Sequence, residues 1–267
     1  MVPGALDSVR GVLRGVLDLA LAPVCAGCRR PVPSGGQGDL VCGLCQARVR
    51  SLPDPKCDRC WTPLPLPVAG VTASCRVCPE LRPAVRAVRS AFLLDEVSRP
   101  LVHALKYRGW HRAAALMGRR MAAVPWPREV DSEAELVVPV PLTRVRRRER
   151  GYNQAEALAS EIALQRGWRL APELLERARA AGSQTALHPS ERRANVAGVF
   201  RVPENAAGLL VTRHIVVVDD VWTTGATALS CADALLAAGA RAVSILTFAR
   251  ALPDIEGNVR RAELARR

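Results

Sequence analysis

The chain has 267 residues, 49% apolar and 24% charged, which suits one sizeable core with a small extra module and excludes disordered and fibrous classes. A formal charge of +13 invites a nucleic-acid or polyphosphate partner, because a positive surface concentrates anions. Every basic residue except Lys56 and Lys106 is an arginine, however, and codon bias produces the same pattern, so charge alone decides little.

No stretch reaches the roughly 18 uninterrupted apolar residues of a membrane-spanning helix, and the apolar run near the start is broken by Arg14 and Asp18. Neither a signal peptide nor membrane insertion is expected, and a cytoplasmic location follows from that. Val9, Val12, Leu13, Val16 and Leu17 recur at helical spacing, so residues 1–24 predict an amphipathic helix docked on the body of the protein.

Residues 25–82 form a cysteine- and proline-rich module. Eight of the nine cysteines fall into four pairs with two residues between partners: Cys25 and Cys28, Cys42 and Cys45, Cys57 and Cys60, Cys75 and Cys78. Such a turn brings two thiolates to one side of a loop, and two turns complete a tetrahedral four-sulfur shell around Zn²⁺. Two structural zinc ions are therefore expected. Spacing favours sequential pairing of the turns and leaves an interleaved arrangement open. Disulfides do not suit a reducing compartment, and a redox-active pair normally occurs singly. Cysteine count by itself does not separate zinc from an iron–sulfur cluster. Cys231 stands apart as a buried small hydrophobe.

Residues 83–267 predict an α/β domain, a parallel sheet flanked by helices. Ala87 to Leu94 is strand-like, Asp95 caps a helix to about Ala123, and Pro125-Trp126-Pro127 with Glu129 to Glu135 reads as a surface loop. Leu136 to Val140 is a strand, and Gln154 to Arg166 is a helix with Ala155, Leu158, Ala159 and Ile162 inward, ended by Gly167. Ile215 to Val218 is a buried strand, Thr224 to Ala238 a helix closed by Gly239, and Ala242 to Phe248 a last strand.

The run from Val216 through Asp219, Asp220, Val221 and Trp222 to Thr223, Thr224, Gly225, Ala226 and Thr227 carries the most chemistry. Its order is strand, acidic pair, small polar loop, helix. Carboxylates at the carboxyl end of a parallel strand face the ligand rim of an open sheet and can accept hydrogen bonds from two neighbouring hydroxyls, as a ribose presents. The loop offers hydroxyls, a glycine and free N–H groups at a helix N-terminus, where a phosphate belongs. No Gly-Lys-Ser/Thr follows, which argues against a triphosphate-hydrolysing loop.

This run resembles the 5-phosphoribosyl-1-diphosphate (PRPP) signature of the type I phosphoribosyltransferases. The resemblance implies that Asp219 and Asp220 bind the ribose hydroxyls and Thr223, Thr224, Gly225, Ala226 and Thr227 the 5′-phosphate. The run Thr143, Arg144, Arg146, Arg147, Arg148, Arg150 leaves the strand near Val140, and arginine forks suit diphosphate oxygens; Thr143, Arg144, Arg148 and Arg150 are the expected diphosphate ligands. Ser183-Gln184-Thr185-Ala186-Leu187 and the run from Arg192 are candidates for a mobile loop over the ligand, with Gln184, Thr185 and Arg192 its contact residues. Leu105-Lys106-Tyr107-Arg108-Gly109 reads equally as part of a hood over the cleft or as an exposed helix end.

Together with the cysteine pairs, the sequences Leu-Lys-Tyr-Arg-Gly, Arg-x-Arg-Gly-Tyr-Asn-Gln and Gln-Thr-x-Leu resemble the ComF family over nearly the whole chain. That resemblance implies a double zinc ribbon joined to a phosphoribosyltransferase domain. Such a domain displaces Mg²⁺-bound diphosphate from PRPP with a nitrogen acceptor. Some members are tied to natural competence and single-stranded DNA. Two other readings share the motifs: a non-catalytic PRPP or nucleotide sensor, and an accessory protein that handles single-stranded DNA. The aromatic content of 4% leaves few base-stacking platforms, Trp61 and Trp110 among them. His103, His111, His188 and His214 show no ligand spacing.

Overall fold

The computed structural model describes residues 24–32, 41–65, 74–107, 111–178 and 198–252. The expected N-terminal helix, Arg108 to Trp110, and Gln184, Thr185 and Arg192 lie outside the described residues.

In chain order the elements are α1 (Gly43–Arg48), β1 (Val85–Leu93), α2 (Ser98–Tyr107), α3 (His111–Ala122), α4 (Arg128–Glu133), β2 (Ala134–Pro139), α5 (Arg144–Arg150), α6 (Gln154–Arg166), β3 (Arg169–Leu170), β4 (Glu176–Arg177), β5 (Phe200–Arg201), β6 (His214–Trp222), α7 (Ala226–Ala237) and β7 (Ala242–Arg250). Five strands form a sheet in the order β1-β7-β6-β2-β3 with every pairing parallel. β4 and β5 make a separate antiparallel ribbon.

All nine residues of β7 are buried, which is why that segment reads as an apolar run and not an alternating one. The core has two halves, one on each face of the sheet. Val216, Val218, Leu246 and Phe248 look toward α3 and α6, while Ile215, Val217, Val243 and Ile245 look toward α7. Successive strand residues alternate between faces, so β6 supplies both halves.

Several local boundaries differ from the sequence reading. The expected single helix to Ala123 is described as α2 and α3. Asp95 does cap it: Asp95 Oδ1 accepts from the N–H of Val97 and Ser98 at 3.0 and 2.9 Å, and Ser98 Oγ accepts from the Asp95 N–H. The stretch read as a surface loop holds α4, whose first-turn Glu129 and Asp131 suit a helix N-terminus. The arginine run is the helix α5, because Thr143 Oγ1 accepts the Arg146 N–H at 3.1 Å and Gly151 ends it at φ 76°. β6 runs on through the acidic pair to Trp222, and α7 begins at Ala226 rather than Thr224. α6 has the expected bounds, with Asn153 as its N-cap and Gly167 at φ 68° as its C-cap.

His214 opens β6 fully buried. Its Nε2 lies 2.9 Å from Ser244 Oγ and its Nδ1 3.3 Å from Glu133 Oε2. Burial lowers its pKa below 6.5 and outweighs the upward pull of Glu133. A group whose pKa falls on folding lets the unfolded chain bind more protons, so stability should drop as pH falls below 6.5. Thermal unfolding followed from pH 7 downward should show this drop, and His214→Asn should flatten it. An unchanged slope in the variant would count against His214 as its source.

Candidate functional site

α6 follows β2 and packs on one face of the sheet through Leu158, Ala159 and Ile162. α7 follows β6 and packs on the other through Ala228, Cys231, Ala232 and Leu235. The connections leave neighbouring strands in opposite directions, so a crevice opens between the carboxyl ends of β2 and β6. Open α/β sheets take their ligands at such a switch point.

Thr223, Thr224 and Gly225 carry the chain from β6 into α7. Gly225 is the N-cap with φ 78° and brings no side-chain cap of its own. Thr224 Oγ1 accepts the Ala226 N–H at 3.4 Å, and the following first-turn N–H groups of α7 are left for an anion. Glycine is required here twice over, since a Cβ at 225 would also fall 2.2 Å from the Trp222 ring. Asp219, Val221, Trp222 and the loop from Thr223 to Ala228 line a small open concavity of about 60 Å³.

The two carboxyls differ in their surroundings. Asp219 keeps some exposure through that concavity, and its Oδ1 accepts the Asp220 N–H at 2.8 Å. Burial first, then the adjoining Asp220 charge, raise the Asp219 pKa well above the usual carboxylate range. Asp220 is 5% exposed, and its Oδ2 lies 2.7 Å from the Nζ of Lys106 on α2. Tyr152, in the turn between α5 and α6, donates its hydroxyl to the carbonyl of Leu105, which ties the end of α2 to the rim of the crevice.

The arginine helix flanks the same crevice. Val140 N–H donates to Val218 O at 2.9 Å, and Asn153 Nδ2 donates to Val140 O at 3.1 Å, fixing the segment that leads into α5 and out of it. Arg147 pairs with Glu156 at 3.4 Å and Arg150 donates to Gln154 at 2.8 Å. Arg144 and Arg148, one helical turn apart and exposed, have no acidic partner among the described residues. The segment 179–197, which includes the mobile-loop candidates, joins β4 to β5. That ribbon is closed beyond its strands by Ala178 N–H donating to Val199 O at 2.8 Å.

The cysteines gather into two quartets, Cys25/Cys28/Cys42/Cys45 and Cys57/Cys60/Cys75/Cys78, with the sulfurs of each within 4.8 Å of one another. Pairing is thus sequential. Sulfur separations of 3.7 Å (Cys28–Cys42), 3.4 Å (Cys57–Cys78) and 3.3 Å (Cys60–Cys75) are close to the roughly 3.8 Å edge of a tetrahedron with Zn–S bonds of about 2.3 Å. The first pair of each quartet makes the same turn. Cys25 N–H donates to Arg30 O and Arg29 N–H to Cys25 O; Cys57 N–H donates to Thr62 O and Trp61 N–H to Cys57 O. Arg29 and Trp61 occupy equivalent left-handed positions at φ 64° and 56°. Burial opposes ionisation of Cys25, yet N–H groups of Cys28, Cys42 and Gly27 bring its thiol down to about 7. The donor sets and their backbone N–H shells suit zinc.

The cysteine-rich part covers the edge strand of the sheet. Val88 N–H donates to Arg59 O and Leu93 N–H to Arg50 O, so β1 finds partners on its outer side. Arg89, 3% exposed, reaches from β1 into the third cysteine turn. It donates to the carbonyls of Asp58, Arg59, Val88 and Pro125, and Trp61 and Trp126 lie 4.7 and 5.7 Å from its guanidinium. Trp61, a stacking platform in the sequence reading, is thus engaged in packing.

Lys106 beside the acidic pair, one of two lysines in an arginine-dominated chain, belongs to no motif that places it there. Arg89 and Arg250 carry one signal in the sequence, a lone arginine within or at the end of an apolar strand run. Metal analysis should find two zinc ions per chain, and one after either Cys42→Ser or Cys75→Ser, with visible absorption featureless. An iron chromophore, or no metal in the freshly purified protein, would reject the zinc assignment.

No family model matches the chain. It is similar to the DNA utilization protein YhgH of Salmonella typhi, 30% identical over 244 residues that cover 88% of this chain and 100% of the relative. Competence protein ComFC of Bacillus subtilis is 26% identical over 216 residues, covering 79% of this chain and 83% of the relative. Competence protein F of Haemophilus influenzae is 31% identical over 120 residues, covering 44% and 51%. With a relative aligned from end to end at 30% identity and two cysteine quartets that fit a double zinc ribbon, the chain belongs to the ComF family, that of YhgH and competence proteins F and ComFC.

Proposed function

We propose that the crevice between β2 and β6 binds PRPP and that the protein transfers its phosphoribosyl group to a nitrogen acceptor. One observation supports this reading: Asp219, at the end of β6 with Asp220 beside it, lines the same concavity as the N-terminus of α7, where Gly225 brings no side chain. The loop from Thr223 to Thr227 takes the 5′-phosphate. Asp219 and Asp220 take the ribose hydroxyls. Thr143, Arg144, Arg148 and Arg150 lie along the way out of β2 and take the diphosphate, with Gln184, Thr185 and Arg192 closing over it. The division into a metal-bearing part, residues 25–82, and a PRPP-binding part, residues 83–267, belongs to the same proposal.

The reaction breaks the bond between the anomeric carbon and diphosphate while a nitrogen lone pair forms the new one, so no covalent nucleophile is needed. Positive charge grows on the ribose ring as the diphosphate departs. Asp220, ion-paired with Lys106, stabilises that charge, and the arginines of α5 stabilise the departing oxygens. Mg²⁺ bound to the diphosphate would neutralise part of the leaving group's charge.

The names of the relatives, DNA utilization and competence proteins, favour a second reading in which the same site binds PRPP without turnover and reports to DNA-handling partners. Release of diphosphate from PRPP and Mg²⁺ across a panel of nitrogen bases separates the two: turnover with any acceptor supports transfer, and binding without release supports the sensor. Hydrogen bonds to charged groups are worth about 1.5–3 kcal/mol, so Asp220→Asn should weaken PRPP binding roughly tenfold or more with the fold intact by circular dichroism. Unaltered affinity by calorimetry would remove Asp220 from the site.

A further inference from the structure

Arg250 ends β7 and is 1% exposed. Its Nη1 donates to Thr62 Oγ1 at 2.9 Å, and that hydroxyl lies 3.1 Å from Cys60 Sγ. Nε and Nη2 of the same guanidinium are buried without a hydrogen-bond partner of ordinary geometry. Orphaned donors on a buried cation are costly unless an anion stands close. Burial lowers the Arg250 pKa, and the groups that push it back up are Cys60, Cys75 and Cys57. Four thiolates around Zn²⁺ carry a net charge of about −2. Arg89 and Arg250, the two buried arginines beside this quartet, supply the compensating charge.

The other side of Arg250 faces the anion loop. Its guanidinium lies 5.0 Å from the centroid of the Trp222 ring. Trp222 is 4% exposed and presses so closely on Gly225 that no Cβ fits between them. Backbone contacts hold both residues in register: Ala251 N–H donates to Trp222 O at 2.9 Å and Leu94 N–H to Arg250 O at 2.8 Å. A continuous path therefore runs from Cys60 through Thr62, Arg250 and Trp222 to Gly225. The first quartet packs elsewhere, Cys25 and Cys45 lying in the core half that holds Leu101 of α2.

We propose that Arg250 is a positioning residue that couples the Cys57/Cys60/Cys75/Cys78 metal site to the anion loop, so that metal there, and not in the first quartet, holds Thr223 to Thr227 in their phosphate-binding shape. That the loop binds a phosphate rests on the PRPP reading above; the coupling itself does not.

Hydrogen exchange of the ligand-free full chain, read on peptides covering residues 219–231, tests it. Arg250→Met should speed exchange there roughly tenfold while both zinc ions stay bound. Cys75→Ser should do the same, and Cys28→Ser should leave those peptides unchanged. Because one path carries the effect, the Arg250→Met, Cys75→Ser double variant should exchange no faster than either single one. An unaffected loop in Arg250→Met, an equal response to Cys28→Ser, or additive effects would overturn the proposal. Should Cys75→Ser not fold, zinc drawn by chelator from the folded wild-type chain replaces it, and a loop that does not loosen as the second zinc leaves is equally fatal. Calorimetry of wild-type protein with PRPP runs alongside. A null result there with the exchange pattern intact sinks the PRPP reading alone.

Discussion

The backbone pairing of β6 on both sides is the constraint on which the rest depends. It is hydrogen-bonded to β7 from His214 to Trp222 and to β2 as far as Val218, and its side chains feed both halves of the core. A strand held in this way cannot shift or rotate without unmaking the whole interior. Asp219 and Asp220 are therefore presented from a rigid support, and the chain turns into α7 at a fixed place. Because α6 and α7 leave on opposite faces, the crevice they frame is a consequence of strand order and needs no special sequence of its own.

The cysteine-rich part solves a different problem. A parallel sheet ends in edge strands whose unpaired backbone groups invite further pairing, and β1 is such an edge. Arg50 and Arg59 supply carbonyls to it, while Arg89 crosses the boundary to hold the carbonyls of Asp58 and Arg59. Chain that is too short to bury a core of its own thus gathers its cysteines into two quartets and docks on the sheet. The same docking brings buried positive charge next to thiolates, an arrangement favourable to both.

Around the acidic pair the structure distinguishes two residues that look alike on paper. Asp220 is paired with Lys106 from α2. Asp219 faces the anion loop and has its pKa raised by burial and by its neighbour. The partner that sets Asp220 apart, Lys106, lies more than a hundred positions earlier in the chain.

Periodicity alone was enough for the parallel α/β architecture, because apolar runs and helices alternate and each period is a local property. The bounds of α6, its C-cap Gly167, the acidic pair and the glycine-bearing loop were legible for the same reason. So were the eight cysteines that gather into two quartets, since a two-residue spacing is itself a geometric statement about a turn. Spacing favoured the sequential pairing of those turns, and the structure shows it; not legible were the helical state of the arginine run, Lys106 beside Asp220, and Arg89 and Arg250 beneath the second quartet. Each of these is a contact between segments far apart in sequence, or a choice that a distant partner tips. Spacing along one strand of chain carries no information about which other strand will lie against it; that is settled only when the sheet closes and both faces are buried at once.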